Sequence, residues 1–152
     1  MARFYSNENF PLPAVFVGRL GDTTMQIPSA VPEIPVRSLG EAIQYYVSVL
    51  GFDHDWGDPA TGNIAGISQD DCRLFLTDAG FHQTYGAPAA PIVFWLNLNS
   101  KQEVDGLYQR WKQAGATLLS EPEDKPWLLR EFRAADLDGN QIRVFYDFSP
   151  KP

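Results

Sequence analysis

Two stretches of this chain carry the same signals in the same order, and that repetition constrains the fold more than any other feature of the sequence. In the first stretch, Val31 to Val36 reads as a strand. Leu39 to Leu50 follows as a helix, with Leu39, Ile43, Tyr46, Val47 and Leu50 at helical spacing. Gly51 stands at the left-handed position that closes a helix. Phe52 to Trp56, Ile64 to Ser68 and Cys72 to Thr77 then read as three short strands, the last two joined by a turn at Gln69 to Asp71. In the second stretch, Ile92 to Leu98 is a strand and Gln102 to Ala114 a helix marked by Val104, Leu107, Tyr108 and Trp111. Gly115 stands where Gly51 stood. Thr117 to Leu119, Glu131 to Ala135 and Gln141 to Tyr146 complete the set, with the turn DLDGN before the last strand. Modules repeating at roughly 60 residues imply a duplicated unit that cannot cover both faces of its own sheet.

The expected fold class is therefore α+β, two βαβββ modules forming a concave mixed sheet within one structural domain. Residues 31–80 make the first module and 92–148 the second. Residues 81–91 are expected to link them, since the Gly and Pro content of His82 to Pro91 suits neither helix nor strand. Residues 1–30 belong to neither repeat and are expected to form an arm on the body or on a partner subunit. Pro32 and Pro35 remove ladder donors from the first strand, which assigns it to an edge or a seam.

Composition excludes more functions than it names. A chain of 152 residues can bury about two thirds of the surface its unfolded form exposes, so a real core is available. With 44% apolar residues and no apolar run near the ~18 needed to cross a bilayer, it reads as soluble, with no membrane partner. The polar opening MARFYSNENF lacks the basic and then apolar order of a secretory signal, so a cytoplasmic location is expected. A net charge of −7, with 12 scattered Lys and Arg, argues against nucleic acid as a partner and permits cationic ligands. The single cysteine, Cys72, cannot form an internal disulfide. Its apolar neighbours Leu74 and Leu76 predict a buried thiol, not a nucleophile.

Strand alternation sorts the remaining residues. In IVFWLNLN, Phe94, Leu96 and Leu98 fall on one face, suited to packing under helices, and Val93, Trp95, Asn97 and Asn99 on the other. In CRLFLT, Leu74 and Leu76 face the helices, and Arg73, Phe75 and Thr77 the opposite side. In QIRVFY, Ile142 and Val144 face the helices while Arg143 and Phe145 join the concave side. Glu33 alternates with Val31 and Pro35 and points the same way. An aromatic wall carrying a few charges suits a flat ligand, because rings stack and also attract cations.

The pieces VRSLGEAIQYYVSVLGF, DDCRLFL, VDGLYQRWKQAGA and PWLLREFRAADLDGNQIRVF cover roughly residues 31 to 147 in order. Together they resemble the vicinal oxygen chelate superfamily, the glyoxalase, bleomycin-resistance and extradiol dioxygenase group. The turn before REF and the VDxLY helix make bleomycin-resistance-type proteins the nearest likeness. In the metal-using branches, the resemblance implies a His or Glu early in the first strand of each module and again in its last strand. Those positions here hold Val31 or Pro32, Phe75 or Leu76, Ile92 or Val93, and Arg143. A divalent ion needs several oxygen or imidazole ligands and a guanidinium repels it, so no metal or other cofactor is expected. His54 and His82 lie at none of these positions. A displaced ligand set would have to draw on Glu33, His54, Glu131 and Asp147, and would make the chain a metal-dependent lyase, isomerase or dioxygenase.

Resistance-type relatives hold their ligand with aromatic side chains in a groove between two subunits. The matching positions are Trp56, Trp95 and Trp127, with Asp55 as the acidic groove residue, although WLLREF has no Gly after Trp127 and is one residue longer. The expected function is thus a metal-free binding protein, a homodimer that sequesters a small aromatic or cationic molecule at the dimer interface. Its ligand-binding residues would be Glu33, Asp55, Trp56, Arg73, Phe75, Trp95, Trp127 and Arg143, with no catalytic residue. Other chemistries lack their parts. The sequence has no glycine-rich phosphate loop, nucleophile elbow or cysteine pair. DLDGNQ lacks the later acidic ligands of a calcium loop, and Asp70, Asp71, Glu121 and Glu123 read as solvated charges in turns.

Overall fold

A computed structural model describes residues 27–87 and 90–152. The chain divides at residue 30, and its second unit, residues 31–152, is compact; the arm expected over 1–30 lies almost entirely outside the described residues. The second unit runs β1 (Glu33–Pro35), α1 (Leu39–Ser48), β2 (Asp53–Trp56), β3 (Ile64–Gln69), β4 (Cys72–Thr77) and α2 (Ala79–Tyr85). It continues with β5 (Val93–Asn97), α3 (Lys101–Gln113), β6 (Thr117–Leu118), β7 (Glu123–Asp124), β8 (Leu129–Ala135) and β9 (Gln141–Asp147). Two sheets result, ordered β1-β4-β3-β2 and β5-β9-β8-β6, with β7 on the margin of β8. In each, the first strand of the module pairs in parallel with the last, and the other pairs are antiparallel. This is the α+β architecture of two βαβββ modules that the repeat implies. β1 lies at an edge, as its prolines require; the ladder is shorter than expected because Val31 and Pro32 precede it, Pro32 contributing only a carbonyl to the amide of Phe75 at 3.0 Å.

Both long helices start at a serine that accepts from the backbone three residues on, Ser38 from Glu41 and Ser100 from Glu103. Gly51 and Gly115 take φ values of 82° and 83° at the helix ends, a conformation open to glycine without a Cβ clash. α1 buries Leu39, Ala42, Ile43, Tyr45 and Tyr46. Val47, expected on that face, is exposed, because the stripe turns toward Tyr45 and Tyr46, whose hydroxyls reach the second module. Tyr45 donates to the Ala135 carbonyl at 3.1 Å and accepts from the Thr117 amide at 3.0 Å. Tyr46 donates to Asp136 at 3.0 Å, and Trp111 donates its indole N–H to the Leu50 carbonyl at 3.0 Å. The fully buried Asn140 accepts from the Ile92 amide and donates to the Pro35 carbonyl. One hydrophobic core therefore spans both modules.

Three local readings are corrected. Residues 81–91 are not free of regular structure: α2 takes in Phe81 to Tyr85, started by Asp78, whose carboxylate accepts from the amides of Gly80 and Phe81. Glu123 is not a turn residue but pairs with Glu131 in the short β7 ladder. Cys72 is only partly buried, since it opens β4 next to the exposed turn; burial still pushes its thiol above the ordinary value, which keeps it protonated and inert. Among the described residues no helix is long and apolar enough to cross a membrane.

Candidate functional site

Each sheet packs one face under its helices and leaves the other open, and the open faces collect aromatic and charged side chains. On the first sheet, Trp56 of β2 is registered with Gly66 of β3, and its ring meets Phe75 edge-on at 5.3 Å. The absence of a side chain at Gly66 makes this possible, because a Cβ there would collide with the indole. Simple alternation would put Asp55 and Trp56 on opposite faces. A register shift between His54 and Trp56 instead leaves Asp55 able to accept from the Ser68 hydroxyl at 3.0 Å. Arg73, opposite Ser68, is exposed on this face.

At the β1 edge the Thr77 hydroxyl donates to Glu33 Oε1 at 3.0 Å and lies 2.8 Å from His82 Nε2. A hydroxyl has one proton to give, so the ring nitrogen supplies the hydrogen of the second bond. Thr77, expected to line the open side, is fully buried beneath this contact. Sequence reasoning missed His82 because it lay in the segment read as a linker. The usable signal was Asp78, a good N-cap four residues earlier.

On the second sheet, Trp95 is 47% exposed, meets Phe145 edge-on at 5.4 Å and carries the Arg143 guanidinium over its ring at 4.9 Å. Arg143 is in turn 3.3 Å from Glu131 Oε1, while the Trp127 indole donates to Glu131 Oε2 at 3.3 Å. Glu131 is buried, 3% exposed, so its charge is tied to these two donors. After Trp127 the chain turns at Leu128, which takes a φ of 65°, and Trp127 points back onto the sheet at Glu131.

The expected residues thus form two groups. Glu33, Asp55, Trp56, Arg73 and Phe75 share the first open face, and Trp95, Trp127 and Arg143 the second. Register also moves two expected positions. Glu33 pairs with Phe75 and Trp95 with Arg143, and each first-strand residue stands six positions before its helix, at Leu39 and Lys101. Glu33 and Trp95, rather than Val31, Pro32, Ile92 or Val93, are the corresponding open-face positions. A cleft of ≈ 340 Å³ lies elsewhere, beside Asp105, Tyr108, Lys112 and Arg130 at α3. Asp105 and Arg130 are already paired there at 2.8 Å.

The family model for the glyoxalase/bleomycin resistance protein/dioxygenase superfamily matches residues 26–144. The chain belongs to this superfamily. A glyoxalase/bleomycin resistance protein/dioxygenase from Nocardioides is 23% identical, with a TM-score of 0.68 over 86% of this chain and 91% of that one. TioX from a Micromonospora species is 22% identical, with a TM-score of 0.62 over 82% and 100%. A lactoylglutathione lyase from Agrobacterium tumefaciens is 20% identical, with a TM-score of 0.62 over 80% and 96%. At these identities the likeness shows a shared fold, and it singles out no branch of the superfamily. No curated protein matches the chain.

The metal of the superfamily's metal-using branches does not fit these residues. The four corresponding positions, Glu33, Phe75, Trp95 and Arg143, offer one carboxylate, two rings and a guanidinium, which is not a donor set for a divalent cation. The displaced set fares no better. His54 is held by the Trp56 carbonyl at 3.1 Å, Glu131 by Arg143, and Asp147 by Ser149, whose hydroxyl and amide lower its pKa. Among the described residues no three His, Cys, Asp or Glu come together.

Proposed function

We propose that this superfamily member is a small-molecule binding protein of the bleomycin-resistance type. It captures an aromatic, cationic ligand by stacking, without a metal, in a groove that a second copy of the chain completes. The observation that carries the reading is the half-exposed Trp95, held on a strand between Phe145 and Arg143. An indole fixed in place and still half-exposed gives contact area at little cost in side-chain entropy. Trp56 on Phe75 repeats the arrangement on the first sheet, where Glu33 and Asp55 supply negative charge for a basic group. Trp56, Trp95 and Trp127 together leave more indole surface in water than a lone subunit gains from, and a partner copy would cover it. Capture of this kind is stoichiometric and needs no catalytic group.

Titration with a flat basic dye such as aminoacridine tests the reading. Saturable quenching of tryptophan emission is expected, and Trp95→Ala should weaken binding by roughly tenfold or more, the worth of one aromatic stacking contact. Identical titration curves for the two proteins would remove Trp95 from the site.

A further inference from the structure

We infer that the second open face holds an anchor for an acidic group of the ligand, with Arg133 as the residue that takes it. Arg133 of β8 is registered directly opposite Arg143 of β9, so two guanidinium-bearing side chains leave adjacent strands on the same face. Like charges in directly opposed positions destabilise a strand pair, and an opposite charge beside them relieves the repulsion. Glu131, the carboxylate on this face of β8, neutralises one of them. Its first oxygen is with Arg143 and its second with the Trp127 indole, so neither is turned to Arg133. Among the described residues no carboxylate pairs with Arg133. One positive charge on this face therefore has no carboxylate partner among the described residues, in a protein whose net charge is −7.

The surroundings define what that is. Leu119 donates its amide to the Arg133 carbonyl, and Trp95 is registered with Arg143, so the row across the sheet reads Leu119, Arg133, Arg143, Trp95. Both ends of the row are apolar and substantially exposed. Arg133 and Trp95 are two strand spacings apart, about 10 Å, which arginine's length and a one- or two-ring compound can span. A guanidinium offers a planar fork that matches a carboxylate. The ligand class is thus an aromatic carboxylate, its ring at Trp95 and its acid at Arg133. This deepens the proposed function and rests on it, adding an acidic end to the basic group received by the first sheet.

Calorimetric titration of the full chain with naphthoate and with the isosteric, neutral naphthamide separates the two ideas. Naphthoate should bind at least roughly tenfold more tightly at low ionic strength, as a charge-assisted pair requires. Arg133→Gln should abolish that advantage while leaving naphthamide unchanged, and Arg133→Lys should restore part of it. Binding of naphthamide with no gain for naphthoate, or an equal loss of both in Arg133→Gln, overturns the anchor and leaves aromatic capture standing. Binding of neither compound overturns the anchor, and saturable quenching by the aminoacridine in the same protein would leave capture of basic aromatics standing.

Discussion

Gly66 shows how a single position decides what an open face can present. Its missing side chain lets the Trp56 indole lie on the strand and meet Phe75, an aromatic ring covering a strand glycine. Gly66→Ala should therefore expel the indole. The backbone at Gly66 is ordinary, so the fold should survive with a loss of about 1 kcal/mol or less. Trp56 would move into water. Near-ultraviolet circular dichroism should lose the signal of the coupled pair and emission should shift to the red; an unchanged spectrum would mean that the ring is held by something else. The sequence already contained the clue, since a glycine inside a strand marks a close approach, yet IAGISQ does not say what approaches. Arg143 is the contrasting case. Its place opposite the helices followed from alternation, but its pairing with Glu131 depended on which neighbour on β8 lay within reach.

At the scale of elements, α3 depends on its start. Its buried residues are few, Val104, Tyr108 and Trp111, and its other face is polar. Ser100 accepts from the Glu103 amide at 3.1 Å while the Glu103 carboxylate reaches back to the Asn99 amide at 2.9 Å, so two orphan donors are satisfied together. Ser100→Ala should cost about 1 kcal/mol and lower the melting temperature by about 2–4 °C, with the far-ultraviolet spectrum unchanged. A thermal melt indistinguishable from wild type would show that packing alone fixes the helix. Elements with strong periodicity were legible from the residues alone: α1, α3 and the strands β3, β4 and β9 fall within two or three residues of their expected bounds. The rest depended on local chemistry that periodicity does not carry. α2 contains Gly, His and Thr, weak helix formers, and forms because Asp78 caps it. β7 is two residues long and exists only as a partner of β8. The shift in β2 breaks alternation, so the common face of Asp55 and Trp56 had no period to reveal it.

For the whole molecule, the decisive contacts are those that join the modules, and Tyr46 tests them through pH. Its ring is fully buried and its hydroxyl donates to Asp136, which also accepts from Asn140 at 2.8 Å. Burial, with the Asp136 charge beside it, raises the phenol far above its ordinary value. The native state therefore keeps its proton at pH values where the unfolded chain loses it, from about pH 10 upward. Stability from this group is fully present below that point and drains as pH rises, at about 1.4 kcal/mol per pH unit. Tyr46→Phe cannot ionise. At neutral pH it should be less stable by about 1–2 kcal/mol, because Asp136 loses a donor. Urea unfolding along a pH series should then show the wild-type advantage constant to about pH 10, narrowing above it and reversing in stronger alkali. A gap that stays fixed across the series would mean that the hydroxyl ionises in place and that the seam between the modules is open to water. The same comparison bears on the two open faces, because the strands that carry Glu33 and Trp95 keep their positions through this one shared core.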